Sequence, residues 1–375
     1  MKVCGVVCEY NPFHNGHKYQ IDYIKNELGF DAVVGVMSGS FTQRGDAAIF
    51  DKNIRAKAAV QNGMDLVLEL PAVHAVQSAE IFARNSVYIL NALGLLNGIA
   101  FGTERDSIEE ILQAAKLLTF ETEEFKQTLK TELSQGKPYF SARLAALNSV
   151  SGKDFSELLK GPNNILAVEY VKALLRLESS IKPYGIIRTA ADHNDGDFKR
   201  GISSATSIRS VILEGGEPYG AVPENCRELY EGARVHNIDK LGSAIICQVL
   251  KSDPETIRNL PDVSEGLENK IKKAALSSAS LEELYDKIKS KRYTHSRIRR
   301  ILLNLLLGTT AADAKSLPKY IKILAFSPEG QDLLHRAKKT ATLPLAKNRN
   351  GIKNNPAALT LWDRELVTDR IYNLL

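Results

Sequence analysis

Met1-Lys2-Val3-Cys4-Gly5-Val6-Val7-Cys8 runs straight into Glu9-Tyr10-Asn11-Pro12-Phe13-His14-Asn15-Gly16-His17, and a helical pattern begins at Lys18-Tyr19-Gln20. Val3–Cys8 is short, continuous and apolar, the signature of a strand buried on both faces of a parallel sheet. Ligands of open parallel sheets bind beyond the carboxyl ends of the strands, where helix N-termini turn free N–H groups toward phosphate. That places His14 and His17, three apart with Gly16 between them, where a triphosphate would lie. Gly16 lets the backbone approach closely. Each imidazole can donate a hydrogen bond to phosphoryl oxygen, which helps most as charge builds on the α-phosphorus during displacement. The same two histidines could merely cap the helix, and the motif alone does not choose.

Working outward, four more runs of this kind follow: Ala32–Met37, Leu66–Leu70, Gly98–Gly102 and Tyr184–Arg188. Helical patterns over Lys18–Leu28, Lys52–Asn62 and Ala79–Leu93 separate them. Strand–helix alternation predicts an α/β fold with a doubly wound, five-stranded parallel sheet. A Leu-, Ala-, Glu- and Lys-rich stretch at about 106–160 reads as a helical insertion. The turn-rich segment Glu214–Pro223 marks a boundary between a nucleotide-binding unit at 1–213 and a basic, mainly helical unit at 224–375.

Composition narrows the class. The 375 residues are 44% apolar and 25% charged, as in soluble globular proteins. No window nears the ~18 uninterrupted apolar residues of a membrane span, and the start lacks a signal-peptide pattern, so a cytoplasmic location is expected. Four cysteines without C-x-x-C or Cys/His spacing predict reduced thiols and no zinc site. A net charge of +5 permits a polyanionic partner.

A second phosphate clamp is expected after the last strand. Gly201-Ile202-Ser203-Ser204-Ala205-Thr206-Ser207-Ile208-Arg209 gathers hydroxyls and main-chain donors at a helix start, with an arginine one turn on. An ordinary Ser/Thr cap is the plain alternative. Walker A and G-x-G-x-x-G patterns are absent, which points to adenylyl transfer rather than a kinase or dehydrogenase.

H-x-G-H after the first strand, with an I-S-S-T-x-I-R-like element after the last, resembles the nucleotidyltransferase superfamily, relatives of the class I aminoacyl-tRNA synthetases. Ala205 offsets the hydroxyl register, leaving the separate roles of Ser203, Ser204 and Thr206 open. Cys8–His17, Ser38–Gly45, Asp65–Pro71, Phe101–Glu104 and Gly161–Tyr170 are more specific still. They resemble the bacterial tRNA(Met) cytidine acetate ligase family over essentially the whole chain. The resemblance implies activation of acetate by ATP, with Mg2+ accompanying the triphosphate, to give acetyl-adenylate. The acetyl group would then pass to the exocyclic amine of the wobble cytidine of elongator tRNA(Met). It also implies ATP contacts along Val7, Cys8, Glu9, Tyr10, Asn11, Pro12, Phe13, His14, Asn15, Gly16, His17, Lys18, Tyr19 and Gln20. Further contacts would come from Gly102, Asn163 and Arg188, and from Ser204, Thr206 and Arg209 of the second clamp.

Each has a physical role open to it. Gly102 closes a strand where a side chain would block an adenosine, Asn163 sits at a helix start, and Arg188 ends the last strand on the ligand side. A turn glycine, a cap and a surface arginine are the alternatives. Arg44, Lys52 and Arg55 could hold acetate or pyrophosphate, or only solvate a helix. Asp192–Asp197 fails the calcium-loop spacing and reads as a polar loop over the site. Lys287–Arg300 carries seven cations and no acid, with Tyr293 and His295 interleaved, so Lys291, Arg292, Arg297, Arg299 and Arg300 are candidate tRNA contacts. His335, Arg336, Lys338, Lys339, Lys347, Arg349 and Lys353 extend that expected RNA surface. The competing functions are a small-molecule adenylyltransferase and an RNA-binding module that senses ATP.

Overall fold

A computed structural model describes residues 1–188, 203–264, 266–290 and 292–375. Its centre is one seven-stranded sheet in the order β5-β4-β1-β2-β3-β6-β7. The strands are β1 (Val3–Cys8), β2 (Ala32–Ser38), β3 (Leu66–Leu70), β4 (Gly98–Thr103), β5 (Lys182–Ile187), β6 (Ile321–Phe326) and β7 (Leu345–Ala346). The five expected strands form and run parallel, each connected through helices that cover both faces. Every residue of β2 and β3 is buried, Glu69 of β3 included. The last parallel strand begins two residues earlier than expected.

The strand count is the correction. β6 and β7 come from the half expected to be mainly helical, and β6 lies antiparallel on β3. The C-terminal half therefore completes the N-terminal sheet. Lys322 of β6 reaches Glu69 of β3 at 2.5 Å. On the other side of Glu69, Lys52 stands at 2.6 Å, and Lys52 also bonds Asp369 of the C-terminal helix Pro356–Tyr372 at 2.5 Å. Glu365 of that helix accepts from Ala72 N at 2.9 Å. Glu69, Glu365 and Asp369 offer oxygens within 4.8 Å of one another, a spacing that a cation could bridge. The two lysine ammoniums already stand against Glu69 and serve that purpose.

The remaining C-terminal helices bury their own apolar cluster, including Ile298, Ile301, Leu302 and Leu305 of the helix His295–Leu306. The expected insertion is present as helices Ile108–Thr119, Glu123–Ser134 and Tyr139–Ser151. Among the described residues no helix is long and apolar enough to cross a membrane.

Candidate active site

Strand order reverses between β1 and β4: from β1 the sheet grows to β2 on one side and, after a crossover, to β4 on the other. The crevice beyond their carboxyl ends is where such folds bind ligands. Glu9 leaves β1 into Tyr10, a buried non-glycine residue at φ 46°, and the Asn11–Pro12 peptide is cis. Asn11 Oδ1 accepts from Ile49 N at 2.7 Å, and the Phe13 carbonyl accepts from Tyr230 Oη at 3.1 Å. Then α1 (Asn15–Asn26) begins, with His14 as its N-cap.

The cap geometry combines the two readings that the sequence left open. His14 Nδ1 accepts from Gly16 N at 3.1 Å, and His17 Nδ1 accepts from His14 N at 3.3 Å, forming a reciprocal capping box. The rings stack 3.7 Å apart. Because each Nδ1 is an acceptor, the proton of each neutral imidazole lies on Nε2. The histidines cap the helix with one nitrogen and keep a donor on the other. Burial, together with the Arg188 and Arg209 charges, pushes His14 down to about 3. Burial, His14 and Arg188 likewise hold His17 well below the ordinary histidine range.

Both rings are therefore neutral donors near pH 7. Chemistry served by this pair should show no step from it between about pH 6 and 8, where an ordinary histidine titrates. The check is the pH profile of turnover; an inflection near 6.5 that replacing His14 or His17 with alanine removes would contradict it. The sign for stability follows from linkage. Below 6.5 the unfolded chain binds protons that native His14 refuses, so stability falls as pH drops from 6.5 toward about 3.

Four other elements close the crevice. Gly102 ends β4, and a Cβ there would stand 3.1 Å from Arg188 Cγ. The side chain that needs this space is thus Arg188, whose stem crosses Gly102 while its backbone N bonds Thr103 O at 2.9 Å. Its charge reaches both histidines. Glu104 caps the helix Pro162–Arg176 from outside: Oε1 accepts from Asn163 N and Nδ2, both at 2.9 Å, and Oε2 accepts from Asn164 N at 3.0 Å. Glu104 thereby orients Asn163. The sequence carried its signal, an acid directly after β4, but no role was assigned to it.

In the second clamp, Ser204 is the N-cap of the helix Ala205–Leu213 and accepts from Ser207 N at 3.1 Å. Thr206 is exposed on the first turn, and Arg209 spans from Thr206 Oγ1 (3.2 Å) to the Asn11 carbonyl (2.9 Å). This divides the hydroxyl roles: Ser204 holds the helix, while Thr206 and Arg209 face the H-x-G-H turn. The expected boundary segment is packed in as well. Asn15 bonds Ala221 O at 2.9 Å through its backbone and Gly220 O at 3.1 Å through its side chain.

The run Val7 to Gln20 divides in two. Cys8, Tyr10, Asn11, Pro12 and Phe13 are buried scaffold, Val7 is half-buried, and the Glu9 carboxylate accepts from Gln43 N at 2.7 Å. Lys18 is paired along the helix with Asp22 at 2.8 Å, Tyr19 is exposed, and Gln20 is half-buried. Lys52 and Arg55, candidates for an acetate or pyrophosphate site, are instead buried and bonded to protein groups. The Asp192–Asp197 loop, Gly201, Ile202 and Lys291 lie outside the described residues.

With this geometry in view, the HIGH Nucleotidyl Transferase family matches residues 1–375. A tRNA(Met) cytidine acetate ligase of Acetivibrio thermocellus is 40% identical over 92% of this chain and 88% of its own. One from a Thermoanaerobacter species is 36% identical over 100% and 95%. The chain belongs to the tRNA(Met) cytidine acetate ligase family. Among solved structures, Thermotoga maritima TmcAL without ligand superposes with TM-score 0.94 at 33% identity, covering 99% of this chain and 94% of that one. The same protein bound with alpha-thio ATP gives 0.91 at 32% identity, with the same coverage.

In this ligase-family chain the basic helix His295–Leu306 meets the site directly. The loop after β2 touches its backbone: Gly45, at φ 79°, has Arg300 N where a Cβ would come within 2.6 Å. The cations on that helix are unequal. Arg300 bonds Asp262 Oδ2 through Nε and Nη2 at 3.1 and 2.9 Å. Arg297 is spent on the Asp262 carbonyl and Ser264, and stacks over Tyr293. Tyr293 is itself buried, so no base can stack on it. Among the described residues Arg299 has a 4.0 Å approach to Asp46 and a ring contact with Tyr285. The second basic group lies elsewhere. The helix Pro328–Thr340, bearing His335, Arg336, Lys338 and Lys339, runs from Asp65 to Leu93, along the amino ends of β3 and β4. That is the sheet edge opposite the candidate site.

Proposed function

We propose that this chain activates acetate with MgATP and acetylates the exocyclic amine of the wobble cytidine of elongator tRNA(Met). The observation that carries this reading is the stacked pair of neutral histidines, each with Nε2 as a donor, at the mouth of β1. It stands on a chain related along nearly its whole length to ligases of that name.

An acetate oxygen attacks the α-phosphorus, the bond to the β-phosphate breaks, and pyrophosphate leaves. Nε2–H of His14 and His17, with Arg188 and Arg209, meets the charge that grows on the phosphoryl oxygens. Neutral imidazoles suit this step because Nε2–H can donate a hydrogen bond without the ring changing its protonation state. The cytidine amine then attacks the acetyl carbonyl, AMP departs, and the amine proton passes to solvent. The buried thiols support direct attack over an acyl-enzyme: burial pushes Cys4 up to about 12, Cys226 to about 11 and Cys8 upward as well, far from a reactive thiolate. Such work on tRNA belongs in the cytoplasm.

Arg299 is the cation of the basic helix best disposed to meet phosphate, whereas Arg297 and Arg300 hold the loop at Asp262. Arg299→Ala should flatten the log–log salt dependence of tRNA binding by about 1 unit or less, one phosphate's share. Dissociation constants at several salt concentrations test this, and an unchanged slope removes Arg299 from the RNA surface. For the function itself, pyrophosphate should exchange into ATP only when acetate is present. Exchange that instead requires a phosphorylated small molecule would favour an adenylyltransferase, and none at all would favour an ATP sensor.

A further inference from the structure

We propose that Arg55 is a positioning residue for adenylate formation, holding the chain that carries His14 and His17 without touching substrate. The inference rests on the acetate-activating reading above. Arg55 lies in α2 (Lys52–Gln61) and is 0% exposed, the largest fully buried side chain in the protein's described residues. A buried guanidinium is costly unless every donor is satisfied. Here all five N–H groups are spent, and all on backbone carbonyls. Nε donates to Phe50 O at 2.9 Å. Nη1 donates to Glu9 O at 2.5 Å and Ser38 O at 3.2 Å. Nη2 donates to Ser38 O at 3.2 Å and to Gly39 O. No carboxylate bonds it among the described residues.

Those carbonyls are not arbitrary. Glu9 is the first residue past β1, Ser38 ends β2, Gly39 follows it, and Phe50 precedes the cap of α2. Between Glu9 and the His14 cap lie only Tyr10, Asn11, Pro12 and Phe13, an irregular segment with a left-handed tyrosine. Any shift of the Glu9 carbonyl passes along those four residues to the capping box. The second turn is tied to the first, since Gln43 N donates to the Glu9 carboxylate at 2.7 Å and Ile49 N to Asn11 Oδ1 at 2.7 Å. One planar fork thus fixes both turns that border the crevice. Lysine keeps the charge but has three donors on a single nitrogen and cannot reach four carbonyls in a plane.

The test compares the full chain with Arg55→Lys and Arg55→Met in acetate-dependent exchange of pyrophosphate into ATP. Rates are expressed per ATP-binding site, counted by equilibrium dialysis of ATP without acetate. A displacement of about 1 Å at reacting groups costs ~10²-fold, so kcat per site should fall by about that factor in Arg55→Lys, with KM for ATP within a few-fold of the parent. Arg55→Met should lose at least as much. A merely structural arginine would instead lower the number of binding sites while leaving kcat per site within about threefold of the parent, and that result overturns the proposal. Acetate-dependent exchange absent from the parent would overturn the adenylate reading itself, and this role with it.

Discussion

Replacing His14 or His17 with alanine is expected to lower acetyl-adenylate formation by ~10²–10³-fold, the scale for losing one preorganised donor to a developing oxyanion. Each substitution also deletes half of the capping box at α1, at a cost of about 1 kcal/mol. The two effects separate. His14→Asn restores a good cap but presents no donor at the Nε2 position, so it should recover thermal stability and leave turnover low. His17→Asn, whose Oδ1 can stand where Nδ1 accepts from His14 N while leaving nothing at the Nε2 position, should do the same at the third helical position. Turnover and melting temperature measured on the same preparations decide it; near-parental rates in either alanine variant would leave the histidines as caps alone.

Lys52→Met is expected to produce the largest loss of stability. Burial opposes the Lys52 charge, but Glu69, Glu365 and Asp369 outweigh it and raise its pKa. Burial likewise opposes ionisation of Glu69, yet Lys52 and Lys322 hold it below the usual glutamate range. Burial and the Glu69 charge push neighbouring Glu365 upward, toward its neutral form. Two carboxylates therefore face two ammoniums, and removing Lys52 breaks that balance inside the protein. Breaking one partner of a buried pair costs about 3–5 kcal/mol. With an unfolding entropy of about 2.1 cal/mol/K per residue over 375 residues, the melting temperature should fall by roughly 4–6 °C. Lys52→Met combined with Glu69→Gln removes both charges and should recover part of the loss. A single variant within about 1 kcal/mol of the parent would show that the network is solvated.

Much of this was legible in the sequence because its signals are local. Five short, mainly apolar runs alternating with helical patterns mark the parallel strands, four of them buried and β5 a half-exposed edge strand, and H-x-G-H after the first marks the site. β6 was missed although Pro318 and Ser327-Pro328 bracket it, because five apolar residues with one lysine among them read equally well as a buried helical segment. Its lysine decides the matter only through Glu69, 253 residues earlier, a partner no local pattern reveals. Lys52 and Arg55 were placed on the ligand side for the same reason: a cation near a phosphate site looks like a ligand contact until its carbonyl and carboxylate partners are seen. The basic helix shows the converse, since Asp262 claims Arg297 and Arg300 from 35 and 38 residues away. β6, β7 and the C-terminal helix also alter what separable modules would mean, because damage there would reach the sheet and Lys52.

The central claim is acetyl transfer through an adenylate to a tRNA cytidine. Its most direct test is mass analysis of nucleosides from tRNA incubated with the purified chain, ATP and isotopically labelled acetate. The account predicts labelled N4-acetylcytidine in elongator tRNA(Met), one AMP formed per acetyl group, and none of it when ATP or acetate is omitted. Unmodified tRNA alongside robust ATP binding would contradict it.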